Sequence, residues 1–302
     1  MTSVGHNTIK GKAGALSVRR QGPRGEVAKG QLLFLHGAWS STWYWDMHFM
    51  PHFAEAGYDC IAVNLRAHGD SEGEIRFATI EDYIDDVTRL IGSLDQPVLI
   101  GHSMGGFIAQ HIAARQAVRG LALLASVPHY GCWSGFLNVV RTTPSGVLRC
   151  LSTGDLTPIV TDPDAARSLM FSRGPLESDM DYMLDLYGTE SIPALFGMLL
   201  KRVRGLPAAS TPRLVVGADR DRLVSATDVR RTARRLGVEP VFIQNSSHML
   251  TVDHRWRTVA AVLMEWLTVH LARPVRRETA GPAGSVVAED GEAEDKPALR
   301  RA

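Results

Sequence analysis

Short apolar runs recur along the chain, separated by polar and glycine-containing stretches. Runs that are continuous rather than alternating are typical of strands buried on both faces of a sheet. Six such runs predict central strands: Leu32–Leu35, Asp59–Leu65, Pro97–Ile100, Gly120–Ala125, Pro212–Val216 and Pro240–Ile243. Upstream of them, Ala15–Arg20 and the stretch up to Gln31 predict a further strand and a hairpin.

Between these runs, apolar residues recur with the spacing of a helix. The four clearest helical patterns are Trp45–Gly57, Thr79–Leu94, Ala226–Gly237 and His254–Leu271. Thr79, followed three residues later by Asp82, is typical of a helix N-cap. The alternation of strands and helices predicts an α/β fold, with a mostly parallel central sheet and helices on both faces. Functional groups in such a sheet are expected on loops at the carboxyl ends of the strands.

The alternation stops between about residues 129 and 210, where no strand pattern stands out and prolines interrupt the chain. Short helical patterns occur at Asp164–Phe171 and Ser178–Tyr187. We interpret 129–210 as a helical cap inserted into a core of residues 1–128 and 211–272; an irregular run of connecting helices is the alternative. Residues 273–302 have almost no large apolar side chains, which predicts a disordered tail.

Composition narrows the class of protein. With 302 residues and 45% hydrophobic residues, the chain can form one large α/β domain. A formal net charge of +1 provides no strong basic field, so we expect no nucleic-acid partner. We expect a cytoplasmic protein without a membrane span, because we find no signal-peptide core and no sufficiently long apolar run. Cys60, Cys132 and Cys150 are not spaced like metal ligands, and we expect reduced thiols.

The stretch Gly101–Gly106, with the sequence Gly-His-Ser-Met-Gly-Gly, is the strongest candidate for chemistry. It joins a predicted strand to the helical pattern Phe107–Ala114. A serine between glycines at a strand-to-helix turn is typical of a nucleophile elbow, in which Ser103 would be exposed at the tip. Gly101 and Gly105 would allow the close backbone contacts of such a turn. A plain glycine- and serine-containing turn is the alternative.

A serine hydroxyl needs a histidine to accept its proton and an acid to orient that histidine. His248 follows the last predicted strand and precedes the last helix, so we expect it at the same sheet edge as Ser103. The loop after Pro212–Val216 offers Asp221 and Asp219. We favour Asp221, because it stands just before an apolar pair that returns to the core; Asp219 is the alternative.

Two further motifs lie after predicted strands: Leu35–Trp39, reading Leu-His-Gly-Ala-Trp, and Asn64–Ser71, reading Asn-Leu-Arg-Ala-His-Gly-Asp-Ser. With the elbow and the later Asp and His, they make the chain resemble the α/β-hydrolase superfamily, of the esterase, lipase and haloperoxidase-like kind. The resemblance runs from about residue 32 to residue 271, and Ser, Asp and His follow in the order of that fold.

The resemblance implies a serine hydrolase that cleaves a carboxylic ester through an acyl-enzyme on Ser103. Asp221 and His248 would complete the triad, and the backbone N–H groups of Ala38 and Met104 would form the oxyanion hole. It implies no cofactor and no metal. A serine nucleophile excludes the haloalkane dehalogenase and epoxide hydrolase branches. A thioesterase, lactonase or acyltransferase acting on a natural-product or acyl-carrier intermediate is the alternative, followed by a lyase and by a non-catalytic ligand-binding protein.

We expect the partner to be a small, apolar ester or acyl substrate, and the oligomeric state stays open. The candidate substrate-binding residues are Trp39, His102, Trp133 and Phe136. The methionine and aromatic content of the predicted cap suits an apolar ligand. The candidates for its underside are Trp133, Phe136, Leu137, Met170, Phe171, Met183 and Met198; packing within the cap is the alternative for each.

Overall fold

The computed structural model describes residues 4–11, 14–23, 27–171 and 182–271, and it contains an eight-stranded sheet. The strands are β1 (Val4–Lys10), β2 (Ala15–Gln21), β3 (Gln31–Leu35), β4 (Asp59–Val63), β5 (Val98–His102), β6 (Gly120–Leu124), β7 (Arg213–Ala218) and β8 (Val241–Ile243). Their order in the sheet is β1-β2-β4-β3-β5-β6-β7-β8. Strands β3 to β8 are parallel, whereas β1 and β2 are antiparallel at one edge.

Helices cover both faces of this sheet. They are α1 (Trp43–Asp46), α2 (Phe49–Glu55), α3 (Ile80–Ile91), α4 (Met104–Ala113), α5 (Trp133–Thr142), α6 (Pro144–Thr153), α7 (Pro158–Thr161), α8 (Pro163–Met170), α9 (Ile192–Leu200), α10 (Ala226–Leu236) and α11 (Trp256–Leu271), with a 3₁₀ turn at Ile75–Phe77. One apolar cluster contains Trp45 and Phe49, and a second contains Tyr83 and Phe107. The predicted α/β fold is therefore confirmed, and so is the Thr79 cap, which forms a capping box with Asp82.

The differences from prediction have local causes. Strand β1 was not predicted, because Val4–Lys10 has a mostly polar sequence, and the hairpin joins it to β2 instead of extending toward Gln31. The single helix expected over Trp45–Gly57 is two helices, α1 and α2, separated at His48. There φ is −141°, outside the helical range, and the imidazole stacks on Trp256 at 4.4 Å between ring centroids.

The stretch 129–210 contains α5 to α9, and its described residues include no strand. The expected helix at Asp164–Phe171 is α8, which Asp162 caps by accepting a hydrogen bond from the Ala165 N–H at 2.8 Å. Of the helix expected at Ser178–Tyr187, residues 178–181 lie outside the described residues and 182–185 are helical. The expected tail, 273–302, also lies outside them. In the parts of the chain that the structure describes, no helix has the length and apolarity to cross a bilayer.

A buried ion pair joins this helical stretch to the loop after β4. His68 Nε2 lies 3.2 Å from Glu190 Oε2, and its Nδ1 lies 2.9 Å from the Arg66 carbonyl oxygen. Glu190 also accepts hydrogen bonds from the Tyr83 hydroxyl at 3.1 Å and the Ser191 N–H at 2.7 Å. Burial disfavours the imidazolium form, but the Glu190 carboxylate outweighs that effect and the pKa of His68 is raised. Both partner atoms are acceptors, so both ring nitrogens donate when the imidazole is protonated.

Substituting Glu190→Gln is expected to destabilise the protein by about 3 kcal/mol at mildly acidic pH, because it leaves His68 without its counter-charge. A raised histidine pKa contributes stability fully below its unfolded value of about 6.5, and that contribution is lost as the pH rises through the folded pKa. We therefore expect urea unfolding to show that the wild type loses stability as the pH rises above about 6.5, and that this loss is absent in Glu190→Gln. The control is Glu239→Gln at an exposed carboxylate. Parallel pH dependence of wild type and Glu190→Gln would contradict the pairing.

Candidate active site

Ser103 lies at the turn between β5 and α4, in a strained backbone conformation. Its φ is 50° and its ψ is −116°, a region that residues other than glycine rarely adopt. The Ser103 N–H donates to the Leu124 carbonyl at 3.1 Å, and the Ser103 carbonyl accepts from the Val127 N–H at 3.1 Å. The end of β6 therefore holds the turn on both sides. Ser103 is partly exposed between buried neighbours.

The flanking glycines are required by close backbone packing. A Cβ on Gly101 would lie 2.5 Å from the Gly105 carbonyl oxygen. A Cβ on Gly105 would overlap the carbonyl oxygen of Leu35 and lie 2.5 Å from that of His36. The first turn of α4 is thus pressed against the end of β3, which brings Ser103 beside the loop that follows β3.

His248 and Asp221 form a buried pair. His248 Nδ1 lies 2.9 Å from Asp221 Oδ2, and the two side chains are only 4% and 1% exposed. The other carboxylate oxygen, Oδ1, accepts from the backbone N–H groups of Leu223 and Val224, each at 2.8 Å. This arrangement fixes a proton on Nδ1 and leaves Nε2 as the basic nitrogen, as a general base requires.

Asp219, the alternative acid, has a different partner. Its Oδ1 accepts from the Ser246 N–H at 3.1 Å, and the Ser246 carbonyl in turn accepts from the Arg220 N–H at 3.1 Å. Asp219 therefore holds the loop after β7 against the loop after β8. Of the two aspartates considered, the one that contacts His248 is Asp221.

The loop after β3 contains the expected oxyanion residue Ala38. Its neighbour His36 donates from Nδ1 to the Gly37 carbonyl at 2.8 Å and accepts at Nε2 from the Leu65 N–H at 3.0 Å. Burial, reinforced by the nearby His68, lowers the pKa of His36 to about 3. The neutral imidazole therefore braces the loop without carrying charge.

The second expected donor, Met104, begins α4. Backbone N–H groups in the first turn of a helix have no intrahelical acceptor. Such groups are suited to stabilising a negatively charged oxygen. Ala38 lines the cleft beside Ser103, whereas the Met104 side chain is buried in the core. The oxyanion role of both residues stays a prediction.

His102 positions the histidine loop. Its ring stacks on Tyr44 with 4.4 Å between centroids, and its Nε2 donates to the His248 carbonyl at 3.0 Å. Burial, with His248 nearby, lowers the pKa of His102 well below its ordinary value, so the ring is neutral. His102, which directly precedes Ser103, therefore connects the serine turn to the backbone of His248.

Two helices of the 129–210 stretch pack against the loops of the Asp–His pair. In α5, a Cβ on Gly135 would overlap the Leu223 carbonyl oxygen, and the Asn138 side-chain amide donates to the Arg222 carbonyl at 2.7 Å. Sequence reasoning missed these contacts. The available signal was a glycine inside a helical pattern, which often marks a close backbone approach.

The end of α8 holds the histidine loop. The Met170 carbonyl accepts from the Ser247 hydroxyl at 2.5 Å and from the Met249 N–H at 3.2 Å. Ser247 is itself bound to Asp253 Oδ2 at 2.8 Å, and that carboxylate is fully buried. The backbone on both sides of His248 is therefore fixed by contacts that connect distant parts of the chain.

These elements surround a narrow cavity of about 30 Å³. Its lining residues are Gly37, Ala38, Trp39, Ser40, Tyr44, His102, Ser103, Met170, Tyr187, Leu223, His248 and Met249. The predicted residues Ser103, His248, Ala38, Trp39 and His102 thus come together, and so does Met170 from the predicted underside of the cap. Ser40, Tyr44, Tyr187, Leu223 and Met249 were not predicted.

Trp133 and Phe136 do not line this cavity. They lie on α5 with 49% and 44% of their surface exposed, and Leu137 beside them is 47% exposed. The buried face of α5 carries Gly135 and Val139 instead. We expected these three residues on the underside of the cap, but their side of α5 is exposed because the side carrying Gly135 packs on the loop after β7. Contact of Trp133 and Phe136 with a substrate stays a prediction.

Three other expected underside residues, Phe171, Met183 and Met198, are buried without lining the cavity.

The described residues contain no group of three or more His, Cys, Asp or Glu side chains that could hold a metal ion. The three cysteines have no disulfide partner among the described residues.

A parallel sheet with a strained serine turn and a histidine–aspartate pair at one edge defines a hydrolase of the α/β type. The match to the α/β-hydrolase family spans residues 32–262, so the chain belongs to this family. The monoacylglycerol lipase of Mycolicibacterium smegmatis is 25% identical over 244 residues, which cover 74% of this chain and 83% of the lipase. This likeness supports a hydrolase.

Solved structures share the fold. An esterase from Exiguobacterium antarcticum has a TM-score of 0.71 at 17% identity, covering 87% of this chain and 99% of the esterase. The enol-lactonase from Burkholderia xenovorans has a TM-score of 0.66 at 18% identity, covering 87% of this chain and 100% of the lactonase.

Substituting Gly105→Ala is expected to destabilise the protein by about 3 kcal/mol, because the new methyl group meets backbone atoms that cannot rotate away. Alanine has a higher helix propensity than glycine, so any loss of stability is due to the steric clash. Urea unfolding measures the effect, with Gly188→Ala as the control, since a Cβ there meets nothing within 4 Å. Equal stability of the two variants would contradict the close packing of α4 on β3.

Proposed function

We propose that the protein is a serine hydrolase that cleaves a carboxylic ester through an acyl-enzyme on Ser103. The observation that carries this proposal is the Asp221–His248 pair, joined at 2.9 Å, whose His248 lines the same cavity as the strained Ser103. A serine alone is a weak nucleophile, and this pair supplies the base and the orienting acid that it lacks. The lipase and esterase likenesses support the same class of reaction.

In the proposed reaction, Ser103 Oγ attacks the ester carbonyl carbon while His248 Nε2 accepts the hydroxyl proton. The Asp221 carboxylate stabilises the resulting imidazolium. The backbone N–H groups of Ala38 and Met104 donate to the oxyanion, each typically worth about 3–4 kcal/mol of transition-state stabilisation. Collapse of the intermediate breaks the bond to the alcohol, which leaves with the proton from His248. Water, activated by His248, then releases the acid and restores Ser103.

The cavity lining supports a small, largely apolar substrate. Trp39, Met170, Leu223 and Met249 contribute apolar side chains, and Met170 belongs to the 129–210 stretch that we propose as the cap. Methionine side chains adapt to ligands of varied shape. In this proposal, residues 129–210 act both as cover over the reacting groups and as support for their loops.

Ser103→Ala is expected to lose hydrolysis of p-nitrophenyl butanoate and labelling by a fluorophosphonate probe, because both require the serine oxygen as nucleophile. The control is Ser152→Ala at an exposed serine of α6, which should label and hydrolyse like the wild type. Rates are followed by nitrophenolate absorbance and labelling by fluorescence in a gel. Full activity in Ser103→Ala would exclude the proposed nucleophile.

Asp221→Asn is expected to lower kcat by about 10³- to 10⁴-fold, because the amide cannot stabilise the imidazolium and favours the wrong histidine tautomer. Asp219→Asn keeps an oxygen that can accept from the Ser246 N–H, so we expect less than about a tenfold loss. The two variants make the same chemical change at different positions. Their kcat values are compared by steady-state kinetics with one ester. A larger loss in Asp219→Asn would reverse the assignment of the acid.

A further inference from the structure

Tyr187 lines the cavity, and its hydroxyl has only weak hydrogen-bond acceptors among the described residues. Its oxygen lies 3.3 Å from the Met170 sulfur and 3.5 Å from the Met249 sulfur. Thioether sulfur is a weak acceptor, whereas a buried tyrosine hydroxyl usually bonds to oxygen or nitrogen. Tyr187 is 8% exposed, so little of its side chain reaches bulk solvent. Within the described ranges, the hydroxyl has no oxygen or nitrogen acceptor from the protein.

The position of this hydroxyl is fixed. The Tyr187 ring meets Trp43 edge-on at 5.6 Å between centroids. The next residue, Gly188, donates its backbone N–H to the Trp39 carbonyl at 2.9 Å. Burial and the nearby Tyr44 raise the pKa of Tyr187, so the hydroxyl keeps its proton and can donate. A donor held in place before binding loses little entropy when an acceptor arrives.

Most other polar side chains around the cavity are already bound to protein. His248 is paired with Asp221, His102 donates to the His248 carbonyl, and the Tyr44 hydroxyl accepts from the Thr251 N–H at 3.4 Å. The indole N–H of Trp39 resembles Tyr187 in being buried without an acceptor in the part of the chain described. Tyr187 and Trp39 both line the cavity, and each carries a buried donor without a strong acceptor in the described residues.

We infer that Tyr187 donates a hydrogen bond to the substrate, and that the preferred substrate is an ester carrying a second acceptor oxygen, such as an ether, carbonyl or hydroxyl oxygen, near the bond that is cleaved. This inference rests on the proposed function and narrows its substrate class. A site built to hydrogen-bond a substrate discriminates against the analogue without that group, because the donor is then buried unpaired. A plain alkyl ester leaves the hydroxyl with its methionine contacts.

Two pairs of esters that exchange one methylene for an ether oxygen test the inference. Ethyl methoxyacetate against ethyl butanoate places the oxygen in the acyl part, and methoxyethyl acetate against butyl acetate places it in the alcohol part. For each pair, the ratio of kcat/KM values is compared between wild type and Tyr187→Phe. Differences in intrinsic reactivity cancel in that comparison, because both enzymes act on the same two esters.

Tyr187→Phe is expected to lower the preference for the ether ester about fivefold in at least one pair, since one hydrogen bond is lost. The matched control is Tyr182→Phe, which removes a hydroxyl from a tyrosine of the same stretch that is 61% exposed; its ratios should equal those of the wild type. Unchanged ratios of Tyr187→Phe in both pairs would overturn the inference. If the wild type cleaved none of the four esters, the proposed function would fail, and the inference with it.

Met170→Leu provides a second test that keeps the hydroxyl. It removes one sulfur that competes for the Tyr187 proton, so the preference for the same ether ester is expected to rise. If the urea unfolding curve of Tyr187→Phe shows that this variant does not fold, Met170→Leu tests the donor role of Tyr187 instead. A preference that is unchanged or lower in Met170→Leu would then count against a donor role for Tyr187.

Discussion

The close contact between the first turn of α4 and the end of β3 constrains the rest of the site. Gly105 meets the Leu35 and His36 carbonyl oxygens directly, and the serine just before the helix takes a φ of 50°. Such a conformation costs about 1–3 kcal/mol and persists because the surrounding structure fixes it. Burial of α4 along its whole length provides that structure. The turn holds Ser103 beside the loop of Ala38.

Asp221 and His248 reach the sheet edge of Ser103 on two separate loops. Contacts between distant parts of the chain align these loops. Asp219 joins the loops after β7 and β8, and His102 joins the Ser103 turn to the His248 carbonyl. The 129–210 stretch contributes the Met170 carbonyl, which holds the histidine loop, and Glu190, which pairs with His68 in the loop after β4. The loops of the Asp–His pair are therefore held by contacts from the helical stretch as well as by the sheet.

Much of the fold and of the candidate site could be predicted from local patterns in the sequence. The six parallel strands follow from continuous apolar runs, and Ser103, Asp221 and His248 follow from their places after strands. Strand β1 escaped prediction because an edge strand needs few buried side chains. Tyr187 and Glu190 escaped because their contacts cross long stretches of chain and no local pattern marks them.

The central claim is that the acyl group passes through Ser103, and mass spectrometry of the acylated protein tests it most directly. The protein would be mixed rapidly with p-nitrophenyl butanoate, quenched in acid and digested, and the peptides sequenced by fragmentation. The account predicts a butanoyl group on the peptide containing Ser103, attached at that serine and absent from Ser103→Ala. A butanoyl group on another residue during turnover, with Ser103 unmodified, would contradict it.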